Sequence, residues 1–203
     1  MKTLATCILI LISTLHVCAQ QLIPGTLDVI GMPSLSQSIA DLVKEAGLDD
    51  TSIGFESSSN AIEITFKLDE GTDPVTGTPT TSDENCEQTV NLYKVYMHTD
   101  GTPSNLVIEA KTVVNGGMRF PADTFYDQNP GVHGIFGARD LRVENGGSYI
   151  TIPNDASVAI KVAEFVGCRQ DIPFQFNIKP SALTDAGSSN FSVYYTIVGS
   201  ITN

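Results

Sequence analysis

The sequence predicts a mainly β chain: an antiparallel immunoglobulin-like β-sandwich with one short N-terminal helix. Three observations carry this. About eight short segments rich in β-branched and aromatic residues follow one another with no helical pattern between them. Polar turn signals separate them, among them Asp100-Gly101, Asn115-Gly116-Gly117, Asn145-Gly146-Gly147 and Asp185-Ala186-Gly187. Two cysteines, Cys86 and Cys168, stand 82 residues apart behind a leader of the kind that directs export.

That leader opens with Lys2, continues as an apolar run from Leu4 to Leu15 broken only by threonines and Ser13, and ends in Val17-Cys18-Ala19 before two glutamines. Cation, apolar stretch and small residues in this order read as a secretory signal over residues 1–19, leaving Gln20 as the mature N-terminus. The apolar run is shorter than the roughly 20 residues of a membrane span, so no membrane insertion is expected once the signal is gone. Cys18, with Leu15 three residues before it, has the outline of a lipidation site, against which stands Val17 where Gly, Ala or Ser is expected. The expected location is extracellular or on the cell surface.

Cleavage would leave 184 of the 203 residues and, with the loss of Lys2, move the formal charge from −12 to −13. A chain of that length builds one core without metals or many cross-links. Residues 20–48 read as an N-terminal extension and helix, and residues 49–203 as the β-sandwich domain. So acidic a surface repels phosphate backbones and anionic membranes, which excludes nucleic acid as an expected partner. Cys86 and Cys168 are the only cysteines of the mature chain, and an even count in an exported protein reads as one disulfide, with two buried thiols as the alternative.

Taken in order, Ile23, Gly25, Leu27 and Val29 alternate with Pro24, Thr26 and Asp28, the period of a strand with one apolar face. Ser34 and Gln37 then have capping-box spacing, Leu35, Ile39, Leu42, Val43 and Ala46 form one stripe, and Gly47 ends the predicted helix. In residues 61–68, Ile62, Ile64, Phe66 and Leu68 point to one face and Glu63, Thr65 and Lys67 to the other. Residues 69–85 hold hardly an apolar side chain and read as a long exposed loop leading to Cys86. Further strands are predicted over 89–98, 105–114, 141–144, 148–152, 156–166, 172–178 and 191–201.

Little in this inventory carries chemistry. The mature chain has only His98 and His133, no serine in a G-x-S-x-G elbow, and no His or Cys pair at zinc-ligand spacing. Carboxylates are plentiful enough to supply a glycosidase pair, yet the chain lacks Trp to wall a sugar subsite, leaving Tyr93, Tyr96, Tyr126 and Tyr149 as its smaller substitutes. Asp69, Glu70, Asp73, Asp83 and Glu84 could offer oxygens to calcium, but their spacing is not that of an EF-hand loop, and a solvated acidic loop is the plainer reading. Neither an enzyme activity nor a cofactor is expected.

The alternating segment of residues 22–30, together with Phe174-Gln175-Phe176-Asn177-Ile178-Lys179-Pro180 and Phe191-Ser192-Val193-Tyr194-Tyr195-Thr196-Ile197 near the other end, resembles the pilin-like, spore-coat-U-like subunits of bacterial surface fibres. The resemblance covers about a third of the chain, which is longer than such subunits generally are. It implies a homopolymer, or contacts with other surface proteins, built by strand donation. Ile23, Leu27 and Val29 would be the donor's apolar knobs and Gly25 its small position. The other possibilities are that the segment folds back as the first strand of its own sheet, and that the chain is a solitary adhesin or ligand-binding module.

Overall fold

In this computed structural model, residues 23–31, 54–129, 131, 133, 136–180 and 188–200 are described. The predicted helix after Ser34 and the predicted signal of residues 1–19 lie outside them. Thirteen strands are described: β1 (Gly25–Ile30), β2 (Phe55–Glu56), β3 (Ile62–Leu68), β4 (Gly71–Thr72), β5 (Pro79–Thr80), β6 (Leu92–Asp100), β7 (Leu106–Lys111), β8 (Met118–Phe120), β9 (Arg142–Val143), β10 (Ile150–Thr151), β11 (Ile160–Val166), β12 (Cys168–Pro180) and β13 (Ser192–Ser200). Two short helices join them, α1 (Ser82–Gln88) and α2 (Phe125–Gln128).

The strands form two main antiparallel sheets. The first runs β1-β3-β12-β7-β10, with β2 and β8 also paired to β12, and the second runs β13-β6-β11-β9. Alternation explains how they meet. Ile62, Ile64, Phe66 and Leu68 of β3 are all buried, as are Ile108 and Ala110 of β7 and Ile172, Phe174 and Phe176 of β12. Tyr93, Val95 and Met97 of β6 and Val162, Ala163 and Phe165 of β11 join the same hydrophobic cluster from the other sheet. At its centre Phe66 lies 4.5 Å from the ring of Tyr93 and 6.2 Å from that of Phe165. A register shift between Lys161 and Ala163 accounts for the adjacent buried pair Val162 and Ala163, since a bulge turns two consecutive side chains inward.

Cys86 and Cys168 are joined, with their Cα atoms 5.5 Å apart. The bond ties α1 to the first residue of β12. Cys168 therefore opens β12, four residues before the strand predicted over 172–178 begins. The reason is Gly167, whose φ of +78° lets the chain pass from β11 in one sheet to β12 in the other within a single residue. A Cβ there would also stand 3.0 Å from the Arg139 Nε.

Residues 69–85 are not one open loop. They hold the β4–β5 hairpin, in which the Asp73 carboxylate accepts the N–H groups of Val75 and Thr76, and then α1. The helix starts because Thr81 and Glu84 form a capping box: the Thr81 hydroxyl accepts the Glu84 N–H at 3.2 Å and the Glu84 carboxylate accepts the Thr81 N–H at 2.8 Å. The strand expected over 156–166 likewise begins late. Its first three residues make a 3-10 turn capped by Asp155, and pairing starts at Ile160.

Beyond β8 the chain is held by charge. Arg139, 1% exposed, donates to the Asp127 carboxylate at 2.7 Å, the Thr124 hydroxyl at 3.1 Å and the backbone carbonyls of Phe120 and Pro121 at 2.8 and 3.0 Å. Arg169, also buried, donates to the carbonyls of Gly116 and Arg139. These two side chains do for an irregular segment what a ladder does for a strand, supplying donors to backbone carbonyls that have left water.

Candidate functional site

The segment singled out by alternation is β1, and it pairs with β3 of its own chain over six residues, from Gly25 opposite Leu68 to Ile30 opposite Glu63. Gly25, Leu27 and Val29 share the inward face with Leu68, Phe66 and Ile64, their partners in register. Gly25 is needed there because a Cβ would sit 2.5 Å from the Phe66 ring and 2.9 Å from the Lys67 carbonyl. Ile23 and Leu27 pack on the core, while Val29 and Ile30 remain 44% and 63% exposed. Two polar contacts fix the start of the strand: the Asp69 N–H donates to the Pro24 carbonyl at 2.9 Å, and the Thr26 hydroxyl to the Asp69 carboxylate at 2.7 Å. Among the described residues β1 is thus an edge strand, held by one ladder and by the partly buried Leu27 with Ile23 just before it.

Among the described residues the second sheet ends on β13, which pairs with β6 alone in a nine-residue register without a break. Val193, Tyr195 and Ile197 face the core and are only half buried. The Tyr195 ring lies 6.3 Å from that of Phe174, and burial pushes its phenol ionisation upward. On the outer face Tyr194 stacks on His98, ring centroids 4.9 Å apart. The other edge strands of the two main sheets among the described residues, β2, β8, β9 and β10, are two or three residues long.

The polar side chains are placed as structural partners. Of the acids considered for calcium, Asp69, Asp73 and Glu84 serve as the acceptors just described, Asp83 lies in the first turn of α1, and Glu70 precedes β4. Among the described residues no group of three His, Cys, Asp or Glu side chains is arranged to hold a metal ion. His133 stacks on Tyr126, whose hydroxyl is shared between the carbonyls of His133 and Gly137. On the outer face of the first sheet Glu109 accepts from Asn177 at 2.8 Å and from Lys179 at 3.0 Å. Alongside, Lys111 lies 3.7 Å from Glu56 and over the Tyr149 ring. Burial, with Glu56 and Glu109 behind it, pushes the Tyr149 phenol up. An open groove of about 510 Å³ runs past Tyr149, Ile150, Ile160 and Lys161, where Lys161 bridges Glu144 and Glu164 at 2.7 and 2.8 Å.

Sequence reasoning thus found β1 and the disulfide. It missed β13 as a free edge, because alternation reports a strand's faces and not its neighbours. It missed Arg139 as well, since a buried cation is recognisable only through partners far along the chain. Compared with known proteins, the chain matches no protein-family model, no curated protein and no solved structure. The fold and site together define a disulfide-bonded antiparallel β protein in which no helix among the described residues is long and apolar enough to cross a membrane.

Proposed function

We propose that this chain is an exported, non-enzymatic structural subunit that polymerises at the cell surface into a filament, each copy donating β1 to the first sheet of the next. The domain is read as an immunoglobulin-like sandwich, supported by two antiparallel sheets filling one core. Export is supported by the signal-like residues 1–19 and by a disulfide of the kind that persists in oxidising compartments.

One observation carries the reading. β1 sits at an edge, held lightly, and 22 residues of sequence separate Gly31 from Gly54. That much chain spans up to about 70 Å when extended, enough to carry the strand to a neighbour. The contacts made in trans are those made in cis, so exchange conserves the ladder, the Leu27 packing and the slot under Phe66. Because each donor goes to a different copy from the one it receives from, the arrangement is open-ended and yields a filament.

Native material is expected to run as a ladder of oligomers in detergent without boiling, and the chain lacking residues 22–30 to run as monomer under the same detergent conditions. Gly25→Val should also remove the ladder, because the added methyls enter the space of a buried ring and overpacking of this kind costs about 1 to 3 kcal/mol. A ladder that survives the deletion overturns the reading, as does an intact mature chain that stays monomeric at high concentration.

The cis pairing of β1 with β3 favours a second reading, in which the sheet is already complete and the chain acts alone as an adhesin or ligand-binding module.

A further inference from the structure

Natural edge strands are protected by shortness, charge, proline or bulges, because an open row of backbone groups pairs with any strand that reaches it. β9 and β10 have the first protection, and β1 carries Asp28 on its outward face and follows Pro24. β13 has none of them. Its nine residues, Ser-Val-Tyr-Tyr-Thr-Ile-Val-Gly-Ser, contain no charge and no proline, and its register with β6 is unbroken. Such a stretch is out of keeping with a chain of formal charge −12. Tyr194 and Val198, 47% and 45% exposed, stand on the outer face with Thr196 between them.

We propose that β13 is a self-recognition edge, at which two copies of this chain pair their β13 strands antiparallel about a two-fold axis through Thr196. The sequence is self-complementary about that residue. Ser192 meets Ser200, Val193 meets Gly199, Tyr194 meets Val198, Tyr195 meets Ile197, and Thr196 meets its own copy, so all nine residues are used. The aromatic and β-branched pairs fall on both faces, the combination that favours cross-strand contact. Charge on the neighbouring strand agrees. On β6, Asp100 lies opposite Ser192, His98 opposite Tyr194 and Lys94 opposite Val198. Under the two-fold, each Asp100 shares its row with Leu92 of the other copy and each Lys94 with His98, so no carboxylate faces a carboxylate. The partly buried Val193, Tyr195 and Ile197 gain further cover from their counterparts, and the four-stranded second sheet becomes a continuous eight-stranded one. The occupant is a second copy, since a self-complementary strand suits its own sequence best. The contact is isologous and closes after two chains, so it adds a lateral pairing and does not depend on β1 exchange.

A single strand pair with its flanking rows belongs among small interfaces, under about 1,200 Å² in total, and exchange between monomer and dimer is expected at micromolar concentration. The test uses the chain from Gln20 with Cys86 and Cys168 joined. Thr196→Lys and Thr196→Glu each set like charges directly opposite across the axis, and each is expected to lose the two-fold pairing that the parent shows, sedimenting as monomer where residues 22–30 are also removed and the same deletion with Thr196 kept is dimer. An equimolar mixture of the two should recover the dimer. Thr196→Cys should oxidise to a covalent dimer, since opposite Cα atoms in such a pair lie about 4.5 to 5.5 Å apart, within disulfide reach. Val75→Cys, on the exposed turn of the β4–β5 hairpin, is the control expected to cross-link at least ten-fold more slowly. Unchanged melting temperatures of the Lys and Glu variants separate lost pairing from lost folding. The proposal is overturned if the parent is monomeric at millimolar concentration, if the mixture stays monomeric, or if Thr196→Cys cross-links no faster than Val75→Cys. Removing residues 22–30 abolishes strand donation and leaves these readouts intact, so either idea can fail alone.

Discussion

Replacing Arg139 with methionine is expected to lower the unfolding free energy by about 3 to 5 kcal/mol, the range for breaking a buried ion pair. For a domain of this size that is a fall of roughly 10 °C or more in Tm. Four acceptors lose their donor at once: the Asp127 carboxylate, the Thr124 hydroxyl and the carbonyls of Phe120 and Pro121. Asp127 keeps Arg119 at 3.2 Å on its other oxygen, which holds the loss inside that range. The double variant with Asp127→Asn should cost about 1 to 3 kcal/mol less than the sum of the two single changes, because the partners share one network.

Acid titration reads the same site. Burial alone would raise the Asp127 ionisation, but the hydrogen bond and charge of Arg139, with Thr124 and Arg119 behind them, outweigh it and hold the carboxyl below the ordinary carboxylate value. The folded state therefore binds this proton less tightly than the unfolded chain does. The stability from Asp127 is complete above its unfolded value near pH 3.9 and is lost as the pH falls through the lower, folded one. The difference in Tm between the parent and Asp127→Asn should be largest near pH 6 and shrink steadily below pH 4; a constant difference would place the effect elsewhere.

What was legible in the sequence was the part written at short range. β3 announces its buried face through Ile62, Ile64, Phe66 and Leu68, and β1 its alternation through Gly25, Leu27 and Val29, with Ile23 just before it. Thr81 and Glu84 also have the spacing of a helix start, but seven residues with no apolar stripe give no period to read, and α1 is held instead by its disulfide and by packing on β3. β2, β4 and β5 are two residues long, too short to show alternation. The partner of β1 lies about 40 residues on, and the choice of β3 over another edge is a matter of sheet order, which periodicity does not encode. The Arg139 donors reach partners 12 to 19 residues back along the chain, a separation that no local period reports.

Replacing Cys86 and Cys168 together with alanine is expected to remove about 4 to 5 kcal/mol of stability, the chain-entropy value for a loop of this length. The bond closes 82 residues that include β6, β9 and β11 of the second sheet and β7, β8 and β10 of the first, so without it the unfolded chain regains the freedom of most of the second sheet and part of the first. Local effects add to the global one. Both sulfur-bearing residues are 1% exposed, and the Leu68 N–H donates to the Cys86 sulfur at 3.3 Å, so alanine leaves space between α1 and β3 and a donor without its acceptor. The first segment to loosen should be α1, a seven-residue helix with no basic residue in its last turn. Hydrogen exchange in residues 82–88 is therefore expected to accelerate more than in β3 or β12. In the parent the same burial shields the bond, because thiol exchange requires access to sulfur, and dithiothreitol should reduce it only at the rate at which the fold opens. Rapid reduction of the native chain, or a double alanine variant that melts within 2 °C of the parent (about 1 kcal/mol at this size), would overturn the assignment of this bond as the main cross-sequence restraint.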